Sequence, residues 1–354
     1  MLLKKLDFNR LVRANILKLT PYSSARGEFK GAASVFLDAN ENPFESGYNR
    51  YPDPLQLTLK DKISALWHVP VPSIFLGNGS DEPIDLLVRL FCEPGLDHII
   101  ITPPTYGMYR VAADIAGVEV KEINLRADFQ LPVKDILAQA NEHSKILFLC
   151  SPNNPTGNLL NKEDIIQIIH HFPGIVVLDE AYTDFAENTS FLPELSNFPN
   201  LVILQTFSKA WGLAAIRLGM AFASMEIIDL LNKIKSPYNL NILTIDFVLR
   251  QLDFFKEKND SVDILVKERQ LLMEHFKSFT FINKVNRSDA NFILIQVDDA
   301  DRLYQFLVSK GIIVRNRSNM PLCEGGLRIT VGTTLENNNL LASMSEWASL
   351  KSLS

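Results

Sequence analysis

Short apolar runs rich in β-branched residues recur along the chain: HIIIT (98–102), KILFLC (145–150), GIVVLDE (174–180), LVILQTF (201–207) and LGMAFA (218–223). Runs that are apolar at nearly every position belong to strands covered on both faces, which is the condition of a parallel sheet. Between them lie segments with helical spacing. In DEPIDLLVRLF the residues Ile84, Leu87, Val88 and Phe91 fall on one face, and in NKEDIIQIIHHF Asn161 is placed to cap the first turn. This alternation predicts an α/β architecture with helices on both faces of a mostly parallel sheet.

From about residue 225 the texture changes to longer, charged helical segments, followed by NFILIQV, GIIVRN and GLRITVG, which predict strands of a smaller second unit. The expected division is an N-terminal segment (1–37) lying on the smaller unit, a larger unit (38–245) and a smaller one (246–354). Turn-forming residues at Pro103-Pro104, Pro155–Gly157 and Gly325-Gly326 mark the loops where a site should sit.

Composition narrows the classes. A chain of 354 residues suggests about two domains. Hydrophobic residues at 47% against 21% charged exclude a disordered chain. The formal charge of -6 argues against nucleic acid or anionic membrane as partner, although an anionic small substrate fits a locally positive pocket. The opening MLLKKLDFNR breaks its apolar residues with charges, so a soluble cytoplasmic protein is expected. Cys92, Cys150 and Cys323 are too few and scattered for a disulfide framework or a metal site, and are expected in packed positions. The sequons at Asn188, Asn286 and Asn316 are read as ordinary surface polar residues.

Four segments carry candidate chemistry. LGNGSDE (76–82) follows an apolar run and opens a helix, with Ser80 placed to cap it; the open backbone N–H groups suit a phosphate, or the segment simply caps. CSPNNPTGNLL (150–160) leaves Asn154 at the carboxyl edge of the sheet, where open α/β sheets bind ligands, though such a turn can be structural. In VVLDEAYTDF (176–185), Asp179 follows four apolar residues and needs a cationic or protonated partner; Glu180 and Asp184 lie nearby, but no histidine completes a metal site. QTFSKAWGLAAIRLG (205–219) places Lys209 and Arg217 among small and apolar neighbours. A desolvated lysine can serve as nucleophile or base, or its stem can pack while its head reaches water. Together, a phosphate-holding helix start, a buried acid, Tyr182 and a reactive lysine match the needs of pyridoxal phosphate.

These segments, with DANENP (38–43), RYPDP (50–54), PTYGMYRVAADIAGVEV (104–120) and GLRITVG (326–332), resemble the fold-type I pyridoxal-phosphate aminotransferases in their order along nearly the whole chain. Within that family the resemblance is to the subgroup whose substrate is histidinol phosphate. It implies a large domain with a mostly parallel seven-stranded sheet, a smaller α+β domain, and a homodimer. Lys209 resembles the lysine that binds the cofactor covalently and then shuttles the substrate Cα proton. Asp179 would pair with the ring nitrogen, Tyr182 and Asn154 with the phenolic oxygen, and Tyr106 would stack on the ring. Gly79, Ser80, Asp81, Thr206, Ser208 and Arg217 resemble the phosphate cup, and Tyr51 the tyrosine that reaches the neighbouring subunit's cofactor phosphate. Arg328 is similar to the arginine that holds the substrate carboxylate, Arg315 is expected to share a phosphate ester with it, and Tyr22 resembles the aromatic that closes over the imidazole. Arg317 alternates with Arg315, but its direction is not set by the sequence.

The implied reaction is transamination between L-glutamate and imidazole-acetol phosphate, a step of histidine biosynthesis. Three other readings remain: an aromatic or other amino acid aminotransferase on the same site, a decarboxylase acting on an amino acid phosphate, and a noncatalytic domain of the same shape.

Overall fold

The computed structural model describes residues 7–23, 25–29, 31 and 33–352. Its larger sheet has seven strands: β1 (Ile74–Asn78), β2 (His98–Ile101), β3 (Glu119–Glu122), β4 (Ser144–Cys150), β5 (Ile175–Asp179), β6 (Leu201–Thr206) and β7 (Leu218–Phe222). Their spatial order is β1-β7-β6-β5-β4-β2-β3. The pairs among β2 to β6 are parallel, and β7 runs antiparallel to both β1 and β6.

The uniform apolarity of the inner strands β4, β5 and β6 has a direct cause. Alternate side chains enter two cores: Leu147, Leu149, Val176, Leu178 and Ile203 face one, while Ile146, Phe148, Ile175, Val177, Val202 and Leu204 face the other. All of them are essentially buried. Each contributes about 1.5–3 kcal/mol relative to an exposed position. The helix Asp81–Phe91 seals the second core with Ile84, Leu87, Val88 and Phe91, as its spacing predicts. Two expected caps differ. Ser80 and Asn161 occupy N-cap positions, yet neither side chain makes a capping bond.

The smaller sheet, β8 (Ile282–Val285), β9 (Phe292–Val297), β10 (Arg315–Asn316) and β11 (Gly326–Thr330), is antiparallel in the order β10-β11-β9-β8. Strand β8 was not expected, because INKV has too little apolar patterning to announce itself. Of GIIVRN, only Arg315–Asn316 joins the sheet. The helices Phe255–Lys277, Ala300–Ser309 and Thr334–Ser352 cover this sheet through Phe276, Leu303, Leu307 and Met344.

Three sequence expectations are corrected. Residues 8–17 of the N-terminal segment lie on the larger unit. Val12 is buried against the second core, Arg13 pairs with Glu93 at 3.0 Å, and Lys233 Nζ donates to the carbonyl of Leu17. The helix Ile242–Gln251 also stays with the larger unit, since Ile245 and Val248 pack with Leu59 and Ile63; the chain passes to the smaller unit along Phe255–Lys277. Third, Asn286 is buried and donates to the carbonyl of Leu294, so it is no surface residue. The three cysteines are free and buried, as expected. Among the described residues no helix is long and apolar enough to cross a membrane.

One close approach positions the site. Gly219 of β7 faces Gly77 of β1, and a Cβ added there would lie 2.2 Å from the Ser80 nitrogen and 2.3 Å from the Gly79 carbonyl carbon. The Gly79–Ser80 peptide can rest on β7 because position 219 has no side chain. Gly219→Ala is expected to lower stability by about 2–3 kcal/mol, because backbone yields less readily than a flexible side chain. It should also weaken retention of the cofactor that the resemblance implies. Urea unfolding of the cofactor-free protein, with a cofactor titration, checks both; unchanged values would show that the loop is free to move.

Candidate active site

The register of the larger sheet brings the chemistry to one edge. Cys150, the last residue of β4, lies opposite Asp179, the last of β5, which in turn pairs with Leu204 of β6. The segments leaving these carboxyl ends therefore converge, and a cavity of about 270 Å3 opens there. Gly79, Ser80, Asp81, Tyr106, Asn154, Asp179, Tyr182, Thr206, Ser208, Lys209, Arg217 and Arg328 line it, so the structure brings together all but three of the residues that the resemblance assigns to cofactor or substrate. Cys150, Ala181, Ala214 and Arg317 complete the wall.

Asp179 is buried and has no ion-pair partner among the described residues. Its carboxylate accepts from the Tyr109 hydroxyl at 2.7 Å and from the Ala181 N–H at 3.0 Å. Burial pushes its pKa up, and these two donors oppose the shift. Tyr109 escaped the sequence reading. It is fully buried, its ring stacks on Phe148 at 4.6 Å, and on an amphipathic helix three residues beyond Tyr106 it looks like core. A hydroxyl one helical turn after a candidate stacking residue was the available signal.

Lys209 follows the end of β6. Among the described residues its Nζ has no hydrogen bond or ion pair, and it lies 5.6 Å from the centre of the Tyr182 ring. Its pKa is lowered, first by burial and then by the positive charge of Arg328, against the opposing pull of Asp179 and Asp81. Tyr182 is buried, packs edge-on to Phe292 at 5.0 Å and accepts from Asn154 Nδ2 at 3.5 Å. Burial raises its pKa. Arg328 reaches the same asparagine from the smaller sheet, its Nη1 donating to Asn154 Oδ1 at 2.5 Å.

At the other end of the cavity, Arg217 has a left-handed backbone (φ 56°), a conformation costing a non-glycine residue about 1–2 kcal/mol. The N–H of Gly79 donates to its carbonyl at 2.9 Å. Gly79 is itself left-handed (φ 71°), and a Cβ there would sit 2.6 Å from Arg217 Nη2. The glycine thus makes room for the guanidinium beside the N-terminus of the helix Asp81–Phe91. Asp81 is held by Tyr106, whose hydroxyl donates at 3.1 Å, and faces Arg217 at 3.7 Å. Thr206 Oγ1 accepts from the Ser208 N–H, shaping the turn that carries Lys209.

The neighbouring acids serve elsewhere. Glu180 accepts from Ser190, the Phe191 N–H and Gln205, and burial pushes its pKa up to about 7; Asp184 pairs with Lys258 at 2.7 Å.

Three expected residues lie outside the cavity wall. Tyr22 sits exposed beside Pro54, Leu55 and Lys235, because the N-terminal segment is fastened to the larger unit. Tyr51 is half exposed and stacks on Tyr238 at 4.4 Å. Arg315 is exposed opposite Arg328 in the ladder, while Arg317, two residues on, turns into the cavity.

Residues 27–344 match the sequence model of a family described as aminotransferase class I and II. The histidinol-phosphate aminotransferase of Parabacteroides distasonis is 55% identical over 338 residues, covering 96% of this chain and 98% of that protein. The crystal structure of the histidinol-phosphate aminotransferase from Clostridium acetobutylicum superposes with a TM-score of 0.79 at 25% identity, covering 86% of this chain and 92% of that one. The enzyme of that name from Sinorhizobium meliloti, crystallised with pyridoxal-5'-phosphate, shares the fold with a TM-score of 0.78 at 22% identity, covering 86% and 84%.

Proposed function

The chain belongs to the class I and II aminotransferases, and from that premise we propose that it transfers the amino group of L-glutamate to imidazole-acetol phosphate, giving 2-oxoglutarate and L-histidinol phosphate. This is a step of histidine biosynthesis, and the cofactor is pyridoxal 5'-phosphate. When bound, the cofactor supplies an aldehyde for an amine and a ring that takes up the electron pair released as a Cα–H bond breaks.

The residues present fit that group. A free amine at Lys209, a buried carboxylate without a cation at Asp179, and a cup of backbone and hydroxyl groups flanked by Arg217 supply its three anchors. In this reading Arg217, Gly79, Ser80 and Ser208 hold the phosphate, and Thr206 shapes their turn. Asp179 keeps a proton on the ring nitrogen, oriented by the Tyr109 hydroxyl. Tyr182 and Asn154 face the phenolic oxygen, and Tyr106 flanks the ring. The amine of Lys209 takes the proton from the substrate Cα; its lowered pKa leaves more of it neutral and able to do so. Arg328 orients the substrate by its carboxylate or phosphate, with the planar fork suited to either anion.

The observation that carries this reading is convergence. Lys209, Asp179 and Arg217, from segments of one sheet edge, share a single cavity with an arginine from the other sheet. The 55% identical relative favours the phosphorylated imidazole substrate over an aromatic amino acid. In this reading two copies pair: the resemblance assigns Tyr51 to a neighbour's cofactor phosphate, and its position outside its own cavity wall supports that role. The exposed Leu37, Phe44 and Tyr48 nearby, of 87%, 81% and 64% accessibility, supply an apolar surface for that pairing.

The test is a pair of half-reactions. The enzyme is first converted by glutamate to its amino form, and imidazole-acetol phosphate and phenylpyruvate are then compared as acceptors by the recovery of cofactor absorbance. Faster recovery with the phosphorylated acceptor is expected. No recovery with it, or carbon dioxide release from an amino acid phosphate, would overturn the assignment.

A further inference from the structure

Six buried side-chain polar atoms among the described residues lack a hydrogen-bond partner, and two of them, Arg317 Nε and Arg328 Nε, belong to side chains that line the active-site cavity. Orphaned buried donors are costly, and a native structure keeps them where something else completes them. No carboxylate pairs with Arg315, Arg317 or Arg328 among the described residues. Burial first, and then the like charges of Arg328 and Arg315, disfavour the charged form of Arg317. This part of the cavity is short of negative charge.

The local geometry explains why Arg317 is the deeper of the two added arginines. Arg315 pairs with Arg328 across β10 and β11 and remains exposed, while the Arg317 N–H donates to the Gly326 carbonyl at 2.8 Å, holding the chain against the sheet as it turns toward Met320. Its side chain then lines the cavity beside Arg328.

We infer that Arg317 is the specificity-determining residue for the substrate's phosphate ester, adding a second, half-buried guanidinium to Arg328. This rests on the proposed reaction. The two amino donors differ in the anion they carry on the carbon next to Cα: glutamate has a carboxylate, histidinol phosphate a phosphate monoester on a methylene. The ester carries a charge of about -1.5 to -2 and three strongly accepting oxygens. One bidentate arginine suffices for a carboxylate, whereas the larger dianion has acceptors left for Arg317.

The experiment uses the holoenzyme, so that the cofactor occupies the cup at Arg217, with Arg317→Gln and Arg317→Lys beside wild type. In single-turnover half-reactions, Arg317→Gln is expected to lower kcat/KM for L-histidinol phosphate roughly 10- to 100-fold, the range of a charge-assisted hydrogen bond. The value for glutamate should stay within about threefold, and Arg317→Lys should recover part of the loss. Parallel loss on both substrates would mark Arg317 as merely structural, and no loss on either would also overturn the inference. A second readout is independent of turnover. Inorganic phosphate should raise the melting temperature of wild-type holoenzyme more than that of Arg317→Gln. If wild type fails to use histidinol phosphate, the proposed reaction falls; the phosphate shift then decides the subsite, and equal shifts in both proteins would remove it.

Discussion

Lys209→Ala is expected to lower amino transfer from glutamate by about 10³-fold or more, since it removes both the covalent anchor and the base at the substrate Cα. The argument begins with what the amine lacks. An ammonium so placed would ordinarily find a carboxylate, yet Nζ has neither hydrogen bond nor ion pair among the described residues and faces the Tyr182 ring. Burial and Arg328 depress its pKa, so the neutral fraction at any pH below that pKa exceeds that of an exposed lysine. The variant should still fold, because a lysine without partners contributes few contacts. Borohydride reduction followed by peptide mapping should place the cofactor on Lys209 in wild type and nowhere in the variant. Attachment at another lysine, or activity near that of wild type, would refute the role.

Asp179→Asn should lower kcat by about 10²–10³-fold, the scale of a preorganised electrostatic contact in a buried site. The substitution keeps the volume, the bond from the Ala181 N–H and a partner for the Tyr109 hydroxyl, which can turn to accept from the new amide. What it removes is charge. Without cofactor, the wild-type carboxylate is buried with no ion-pair partner among the described residues and burial disfavours its charge, so the cofactor-free variant should be at least as stable as wild type. With cofactor the order should reverse in function. Melting temperatures of the cofactor-free proteins, beside kcat for the glutamate half-reaction, separate the two effects; a kcat within about threefold of wild type would sink the assignment.

These two residues were legible because the chain places charge where apolar periodicity leaves no room for it. Asp179 ends a strand buried along its whole length, and Lys209 follows another, so each demanded a use before any fold was known. The sheet was legible for the same reason, through runs apolar on both faces. The remainder depended on information that spacing does not hold. Tyr109 has a core residue's periodicity, and only the fold reveals its hydroxyl on Asp179. Arg315 and Arg317 share a strand face by alternation, and the turn after β10 decides which goes inward. Tyr22 could not be placed because the docking of the N-terminal segment rests on Arg13 and Glu93, eighty residues apart. Ser80 and Asn161 have the right chemistry for caps, but capping also needs a side-chain rotamer that sequence does not fix.

The bond between Arg328 and Asn154 joins the two sheets' contributions to one site. The proposed cofactor residues of this cavity come from the larger sheet's edge, whereas Arg317 and Arg328 come from the smaller sheet. Substitutions at Arg315 or Arg317, which leave that bond in place, can therefore change which acceptor is held while the cofactor residues stay as they are. A lineage could drift in what it aminates long before it lost the ability to aminate.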